Sequence, residues 1–388
     1  MTTTKNNGHK KLNVPNLRFP EFQGEWEEKR LSEIADLFKG NGISKEQLTD
    51  TGEPCILYGE LYTKYKSEVI SDIFSKTDID TRKLVKSKAN DVIIPCSGET
   101  AVDIATARCV PYDNILLGGD LNIIRLYDCD GSFMSYQLNG KRKYDLAKVA
   151  QGVSVVHLYG DHLKGVKTYN PCLEEQKKIA KLLSLLDERI ATQNKIIEDL
   201  KKLKSAISKK LLCNDKWTTC IIQDIAEIGR GRVISSVEID RQKHPLYPVY
   251  SSQTSNNGIM GYLDNYMFDG EYITWTTDGA NAGTVFYRKG KFNCTNVCGT
   301  LKILPKFDCY FVSLVLQQAT QKYVSSNLAN PKLMNNTMAS IKIRMPNIET
   351  QKQLSKVFKT LDSCLLVHQR TCKMYLSEKQ YLLRQMFI

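Results

Sequence analysis

Two sets of loop residues in this chain carry the side-chain groups that distinguish one base pair from another. Ser97, Glu99 and Thr100 form the first set, with Ser154, His157 and His162 further on in SVVHLYGDHLKG. Thr277, Asp278 and Asn281 form the second, with Asn327, Asn330, Asn335 and Asn336 in SSNLANPKLMNNTMAS. Amides, hydroxyls and carboxylates of this kind match the donor and acceptor pattern of base edges. Cations suited to phosphate contact lie close by, at Lys141-Arg142-Lys143, Lys322 and Lys332. Each residue type also serves ordinary turn chemistry. The reading therefore depends on what holds the loops.

Catalytic tools are scarce. No GxxxxGK[ST] phosphate loop occurs, and Gly160–Thr168 (GDHLKGVKT) lacks the glycine before its lysine. No GxGxxG turn joins a strand to a helix. Asn170-Pro171-Cys172 and Asn330-Pro331-Lys332 are poor matches to the Asn/Asp-Pro-Pro-aromatic grip used on a flipped adenine. Asp91 and Glu99 with Lys86 or Lys88 imitate a nuclease triad only in composition. His157 and His162 share one loop without a carboxylate or cysteine arrangement that would make a metal site. Twelve cysteines are scattered with no CxxC pair, which fits free thiols in a reducing cytoplasm. No secretory signal or membrane-length apolar run is present.

The elements that must position these loops announce themselves by repetition. Pro171–Leu212 is free of glycine and proline after Pro171. Apolar residues fall at Ile179, Leu182, Leu186, Ile190, Ile197, Leu200, Ile207 and Leu211, with steps of three and four or their sums. That is a coiled-coil seam on a helix about 60 Å long. A shift of 175 residues lays Pro171 on Pro346, Gln176 on Gln351 and Asp187 on Asp362. The seam returns at Leu354, Val357, Leu361, Leu365, Cys372, Tyr375, Leu382 and Met386. Its polar interruptions return too, Gln193 as His368 and Lys204 as Lys379.

The parts between the helices repeat as well. Trp26, Ile34-Ala35 and Gly40 match Trp217, Ile225-Ala226 and Gly231 at a shift of 191. Each half reads as short strands, then a helical stretch (near Phe133–Ala150 and Tyr310–Ser325), then polar loops and a final strand. The pattern predicts an α+β tandem repeat: residues 1–170 as a first globular part with 1–12 disordered, 171–213 as a long helix, 214–345 as a second globular part, and 346–388 as a second long helix.

Charge supports a polyanionic partner. The 388 residues carry a net charge of +12, with a pI near 9.0. Residues 1–170 balance 23 basic against 23 acidic side chains, so any anion there must meet a local patch. The three remaining segments are each +4.

Together, LRFPEF with Trp26, its counterpart at Trp217, PCLEEQKKIAKLLSLLDERI, its degenerate copy PNIETQKQLSKVFKTLD and the duplicated layout resemble the DNA-specificity subunit of type I restriction–modification systems. The resemblance covers nearly the whole chain. It implies two target recognition domains, each reading one half of a split, asymmetric site in double-stranded DNA. It implies a non-catalytic chain, with two modification subunits that bind S-adenosylmethionine and methylate adenine, and restriction subunits that use ATP and Mg²⁺. No cofactor is expected on this chain. The Asn347-Ile348-Glu349-Thr350 start of the second helix departs from the first helix's pattern.

If the halves fold back about a pseudo-twofold axis, the long helices run antiparallel. Facing Gln193 with Lys379 also faces Lys204 with His368. It then matches Leu186 with Met386, Ile190 with Leu382, Ile197 with Tyr375, Leu200 with Cys372, Ile207 with Leu365 and Leu211 with Leu361. Polar residues would meet only polar ones. Such a pair of helices would act as a ruler for the DNA between half-sites. The competing readings are a coiled-coil scaffold without sequence preference and a self-contained DNA-modifying enzyme with divergent motifs.

Overall fold

In a computed structural model, residues 12–152, 155–212, 215–325 and 330–388 are described. The chain divides into two compact units, Met1–Asn194 with Gln369–Ile388, and Lys195–His368. Both long helices contribute to each unit: Leu173–Leu211 and Ile348–Gln385.

The first unit is built on a four-stranded antiparallel sheet. Its order is Ala35–Lys39, Leu121–Leu126, Asp91–Pro95, Arg108–Val110. Asp91–Pro95 is buried throughout, which suits a β-rich central strand without a solvent face. A second sheet carries Leu48–Thr49, Ser75–Thr77, Glu53–Ile56 and Leu116–Leu117. Glu27–Arg30 pairs with Lys167–Asn170 and so brings the unit's beginning to the strand that opens the long helix. The amphipathic segment after Trp26 is a strand, one helical turn and another strand, and the turn buries Leu31 and Ile34. The expected helical stretch is two helices, Gly131–Asn139 and Lys143–Val149, separated at Gly140. Asp130 starts the first of them by accepting from the Phe133 amide at 2.8 Å.

The second unit repeats the plan. Its main sheet runs Ala226–Arg230, Cys298–Ile303, Glu271–Thr276, Val285–Lys289. Thr218–Ile221 pairs with Lys342–Met345, as Glu27–Arg30 does with its partner. Asp308 caps Cys309–Ala319 through the Phe311 amide at 2.8 Å. The smaller sheet has three strands, Ile259–Leu263, Tyr247–Tyr250 and Asn293–Cys294, one fewer than in the first unit.

The same glutamine joins helix to globular part in both units. The Asp130 amide donates to Gln176 Oε1 at 2.9 Å, and Gln176 Nε2 donates to the Pro171 carbonyl at 2.8 Å. The Asp308 amide and the Pro346 carbonyl hold Gln351 at the same distances. Tyr136 donates to Asp187, and Tyr310 to Asp362. Trp26 packs edge-on to Phe133, and Trp217 to Phe311. Gln176 with Gln351, Asp187 with Asp362 and Trp26 with Trp217 are pairs that the repeat aligns, whereas their partners Asp130 with Asp308, Phe133 with Phe311 and Tyr136 with Tyr310 lie at other shifts.

Helix pairing inside each unit is antiparallel, but its register differs from the expected one. Lys379 is bound to Asp187 and Glu68, not to Gln193, six residues further along the helix. Lys204 is bound to Asp362, not to His368. Met386 packs in the cluster of Ile179, Ala180 and Leu183, not opposite Leu186. The reason is charge. Lys379 is buried, and a buried ammonium is stabilised far better by a carboxylate than by a neutral amide. Burial pushes the Asp187 carboxyl above its ordinary range, while the Lys379 ammonium opposes that shift.

Of the seam residues, Leu186, Ile197, Cys372, Lys379 and Met386 are buried. Ile190, Gln193, Leu200, Lys204, Ile207, Leu361, Leu365, His368, Tyr375 and Leu382 are half-buried. Leu211 is 37% exposed and Val357 45% exposed, while Phe358 is buried. Near the globular part the second helix thus turns the face carrying Phe358 inward, because it packs against a domain there and not only against a helix.

Candidate nucleic-acid interface

In each unit, strand polarity brings the polar loops, which differ between the two halves, to one end of the main sheet. Lys39 pairs with Asn122, and Leu121 with Pro95. The ends of Ala35–Lys39 and Asp91–Pro95 therefore share an edge with the start of Leu121–Leu126. In the second unit Arg230 pairs with Gly299, and Thr276 with Cys298, which gives the same shared edge. The chain can leave this edge only over backbone. A Cβ on Gly40 would collide with the carbonyl oxygens of Leu117 and Gly118, and one on Gly231 with those of Cys294 and Thr295.

At this end of the first unit, Ser97 lies opposite His157 in a short strand pair. Ser97 Oγ donates to Asp120 at 3.4 Å. The His157 ring stacks on Tyr159 at 5.9 Å between centroids, and His162 meets the same tyrosine edge-on at 5.5 Å. Lys39 Nζ stands 5.4 Å from the Tyr159 centroid. Among the described residues the buried Nδ1 of His162 has no hydrogen-bond partner. Glu99 is exposed and lines a hollow of about 540 Å³ with Tyr58, Tyr62, Ser97 and Asp103. Thr100 spends its hydroxyl locally, accepting from the Asp103 amide and donating to its carboxylate.

The basic triplet is not among these loops. Arg142 donates to the Ile388 carbonyl at 2.8 Å, pairs with Asp145 at 3.1 Å and stacks on Tyr169. The assignment of Arg142 to DNA is therefore replaced by a role in holding the C-terminal helix. Lys141 precedes it in the connection between the two helices, and Lys143 opens the second of them. Ser154 lies outside the described residues.

In the second unit, Asp278 bridges to Lys332, with an ion pair at 3.9 Å, and accepts from Asn330 Nδ2 at 2.9 Å. Asn281 is exposed in the same loop. Lys322 is exposed on the segment Thr320–Tyr323, whose Thr320 hydroxyl donates to the Gly283 carbonyl at 2.7 Å. Asn335 Nδ2 donates to the Gly229 carbonyl at 3.3 Å, and Asn336, the next residue of the same helix, is exposed. Thr277 is only 1% exposed, so it supports the loop from beneath and shows no group to solvent. Asn327 lies outside the described residues.

Four further side chains stand at these sheet ends whose types do not single them out in the sequence. They are Lys39 and Arg230 at the strand ends, and Tyr159 and Met334 immediately before Gly160–Lys164 and Asn335–Ser340. A signal for them existed: Lys39 matches Arg230 at the 191-residue shift, and Tyr159 matches Met334 at the 175-residue shift. Among the described residues no group of three or more His, Cys, Asp or Glu is placed to hold a metal ion. Among them, too, no helix is long and apolar enough to cross a membrane.

Two like units, each gathering dissimilar polar loops at one end of a sheet, define a duplicated recognition module. The family model described as the type I restriction modification DNA specificity domain matches residues 23–202 and again 214–373, and the chain belongs to that family. A putative type I specificity subunit of Mycoplasma pneumoniae is 39% identical over 190 residues, covering 48% of this chain and 79% of that protein. The type I restriction enzyme MpnII specificity subunit of the same organism is 42% identical over 145 residues, 37% of this chain and 43% of that one. The fold is similar to that of the S subunit of a type I restriction–modification system from M. genitalium. The TM-score is 0.73 at 18% identity, over 97% of this chain and 99% of that one.

Proposed function

We propose that this chain reads a bipartite, asymmetric DNA target and performs no chemistry itself. The observation that carries this is the placement of two different loop sets at the same end of two like sheets, beside Lys39 in one unit and Arg230 in the other. Phosphate contacts from other lysines and arginines supply affinity, and side chains at these sheet ends supply base identity. Because one unit offers Ser97, Glu99 and His157 and the other offers Asp278, Asn281 and Asn330, the two half-sites differ. The long helices carry two modification subunits and set the number of unread base pairs between the half-sites. S-adenosylmethionine belongs to those modification subunits, and ATP with Mg²⁺ to restriction subunits that complete the complex in the cytoplasm.

The test is base-resolution mapping of N6-methyladenine in cells that express this chain with a cognate modification subunit. A split asymmetric motif with a constant spacer is expected. An assembled complex that leaves no new motif would overturn the reading.

A further inference from the structure

We propose that Lys39 and Arg230 each take a guanine, one in each half-site, and that Tyr159 and Met334 hold them for it. The inference rests on the DNA-reading function above and goes beyond it by naming the reading residues and the base.

Four observations carry it. Lys39 and Arg230 are exposed and end equivalent strands, each one residue before a glycine that backbone carbonyls hem in. The tight crossing fixes where each side chain departs from the sheet. Beside each cation stands one exposed apolar side chain. Tyr159 is 43% exposed with Lys39 Nζ over its ring, and Met334 is 38% exposed with Arg230 Nη2 at 3.7 Å from its sulfur. The two members of each pair come from segments that repeat at different shifts, 191 for the cations and 175 for the apolar residues. An insertion between them has thus left the same two chemistries together in both units. Finally, among the described residues neither Lys39 nor Arg230 makes an ion pair, whereas nearby Lys332 is paired with Asp278 and Arg232 with Glu238.

The chemistry favours a base over a phosphate. Bidentate donation to guanine O6 and N7 is the commonest specific contact of arginine and lysine in the major groove. A planar guanidinium fits it with two parallel hydrogen bonds, while an ammonium is a point donor. A flat ring or thioether beside the cation restrains its direction. That apolar neighbour also gives the adjacent base a surface, such as a thymine methyl group, to contact. The carboxylates at the same end, Asp120 and Glu99 in one unit and Asp278 in the other, weaken a site for phosphate.

The experiment is selection from a pool of random duplexes by the full chain, with sequencing of the bound fraction, for the native protein and for Arg230→Ala, Arg230→Lys, Met334→Ala and Lys39→Ala. All three side chains are exposed, and circular dichroism melting curves verify that each variant folds. Arg230→Ala is expected to lose about 10- to 100-fold discrimination at a single G·C pair of one half-site. The other half-site should stay intact, and Arg230→Lys should retain part of the preference. Lys39→Ala should do the same in the other half-site. Met334→Ala should weaken preference at the same or the adjacent pair. A native motif that Arg230→Ala leaves unchanged, or a loss uniform over all sequences with a shallower salt dependence, would overturn this inference alone. A native chain that selects no motif would instead overturn the DNA-reading function, and this inference with it.

Discussion

Lys379 and Asp187, one from each long helix, form a buried ion pair in the first unit, and Lys204 and Asp362 repeat it in the second. Each helix supplies the lysine to one pair and the aspartate to the other. The two pairs differ in surroundings. Lys379 and Asp187 side chains are 11% and 10% exposed and share Glu68, while Lys204 and Asp362 are 25% and 39% exposed. Lys379→Met leaves two carboxylates buried without a cation, at a cost of about 3–5 kcal/mol. Lys204→Met should cost roughly 1 kcal/mol or less. Urea unfolding of the full chain, followed separately for each unit, measures both; equal costs would refute the difference in environment.

The same pair has a pH signature. Burial raises the Asp187 carboxyl in the folded state above its unfolded value. A folded-state acid with a raised pKa binds its proton more readily than the unfolded chain does, so it destabilises the fold above that pKa. The destabilisation is lost as pH falls through it. Without the opposing ammonium the shift grows. The stability deficit of Lys379→Met should therefore narrow on acidification relative to the native protein. A deficit that widens would contradict the assignment.

Gln176 and Gln351 should be equally intolerant of apolar replacement. Each is nearly fully buried and bonded to one amide and one carbonyl. Gln176→Leu leaves the Asp130 amide and the Pro171 carbonyl without that partner, at about 1–3 kcal/mol for each group left unsatisfied. Gln351→Leu should cost the second unit a similar amount. Thermal melts of the two variants should drop alike; a silent Gln351→Leu would break the equivalence of the two attachments.

Gly231→Ala should damage the second unit severely, because its Cβ would enter the carbonyl oxygens of Cys294 and Thr295. Gly59→Ala is the contrasting case. Nothing lies within 4 Å of its Cβ and its φ is −65°. There the loss of unfolded-state freedom should leave stability unchanged or raised by about 0.4–1 kcal/mol. Soluble yield and melting temperature report both.

Thiol chemistry should map the cores. Cys172 and Cys364 are exposed. Burial pushes the Cys55, Cys96 and Cys298 thiols up to about 11, so at pH 8 they remain protonated as well as covered. Alkylation of the native protein at pH 8, read by mass spectrometry, should mark Cys172 and Cys364 and spare those three until denaturant is added. Modification of Cys298 in the native state would mean that the second unit opens at its sheet.

The repeat in the sequence determined much of this protein. Equivalent residues in the same local sequence meet the same neighbours, and Gln176 with Gln351 and Asp187 with Asp362, which the repeat matches, make the same helix attachments in both units. The loops Ser97–Thr100 and Thr277–Asn281 were legible as polar breaks between apolar strands. Which polar residues face outward was not legible. Thr277 and Arg142 have the right composition, but the first lies beneath its loop and the second is held by Ile388. Tertiary structure alone decided the helix register. Apolar steps of three and four specify which face is buried, but registers nearly a heptad apart bury that face almost equally well. The choice among them fell to one ammonium. It must find a carboxylate inside the protein, and Glu68, which completes that site, comes from a loop far away in sequence. Spacing along a helix cannot reveal a partner that only the folded chain brings near.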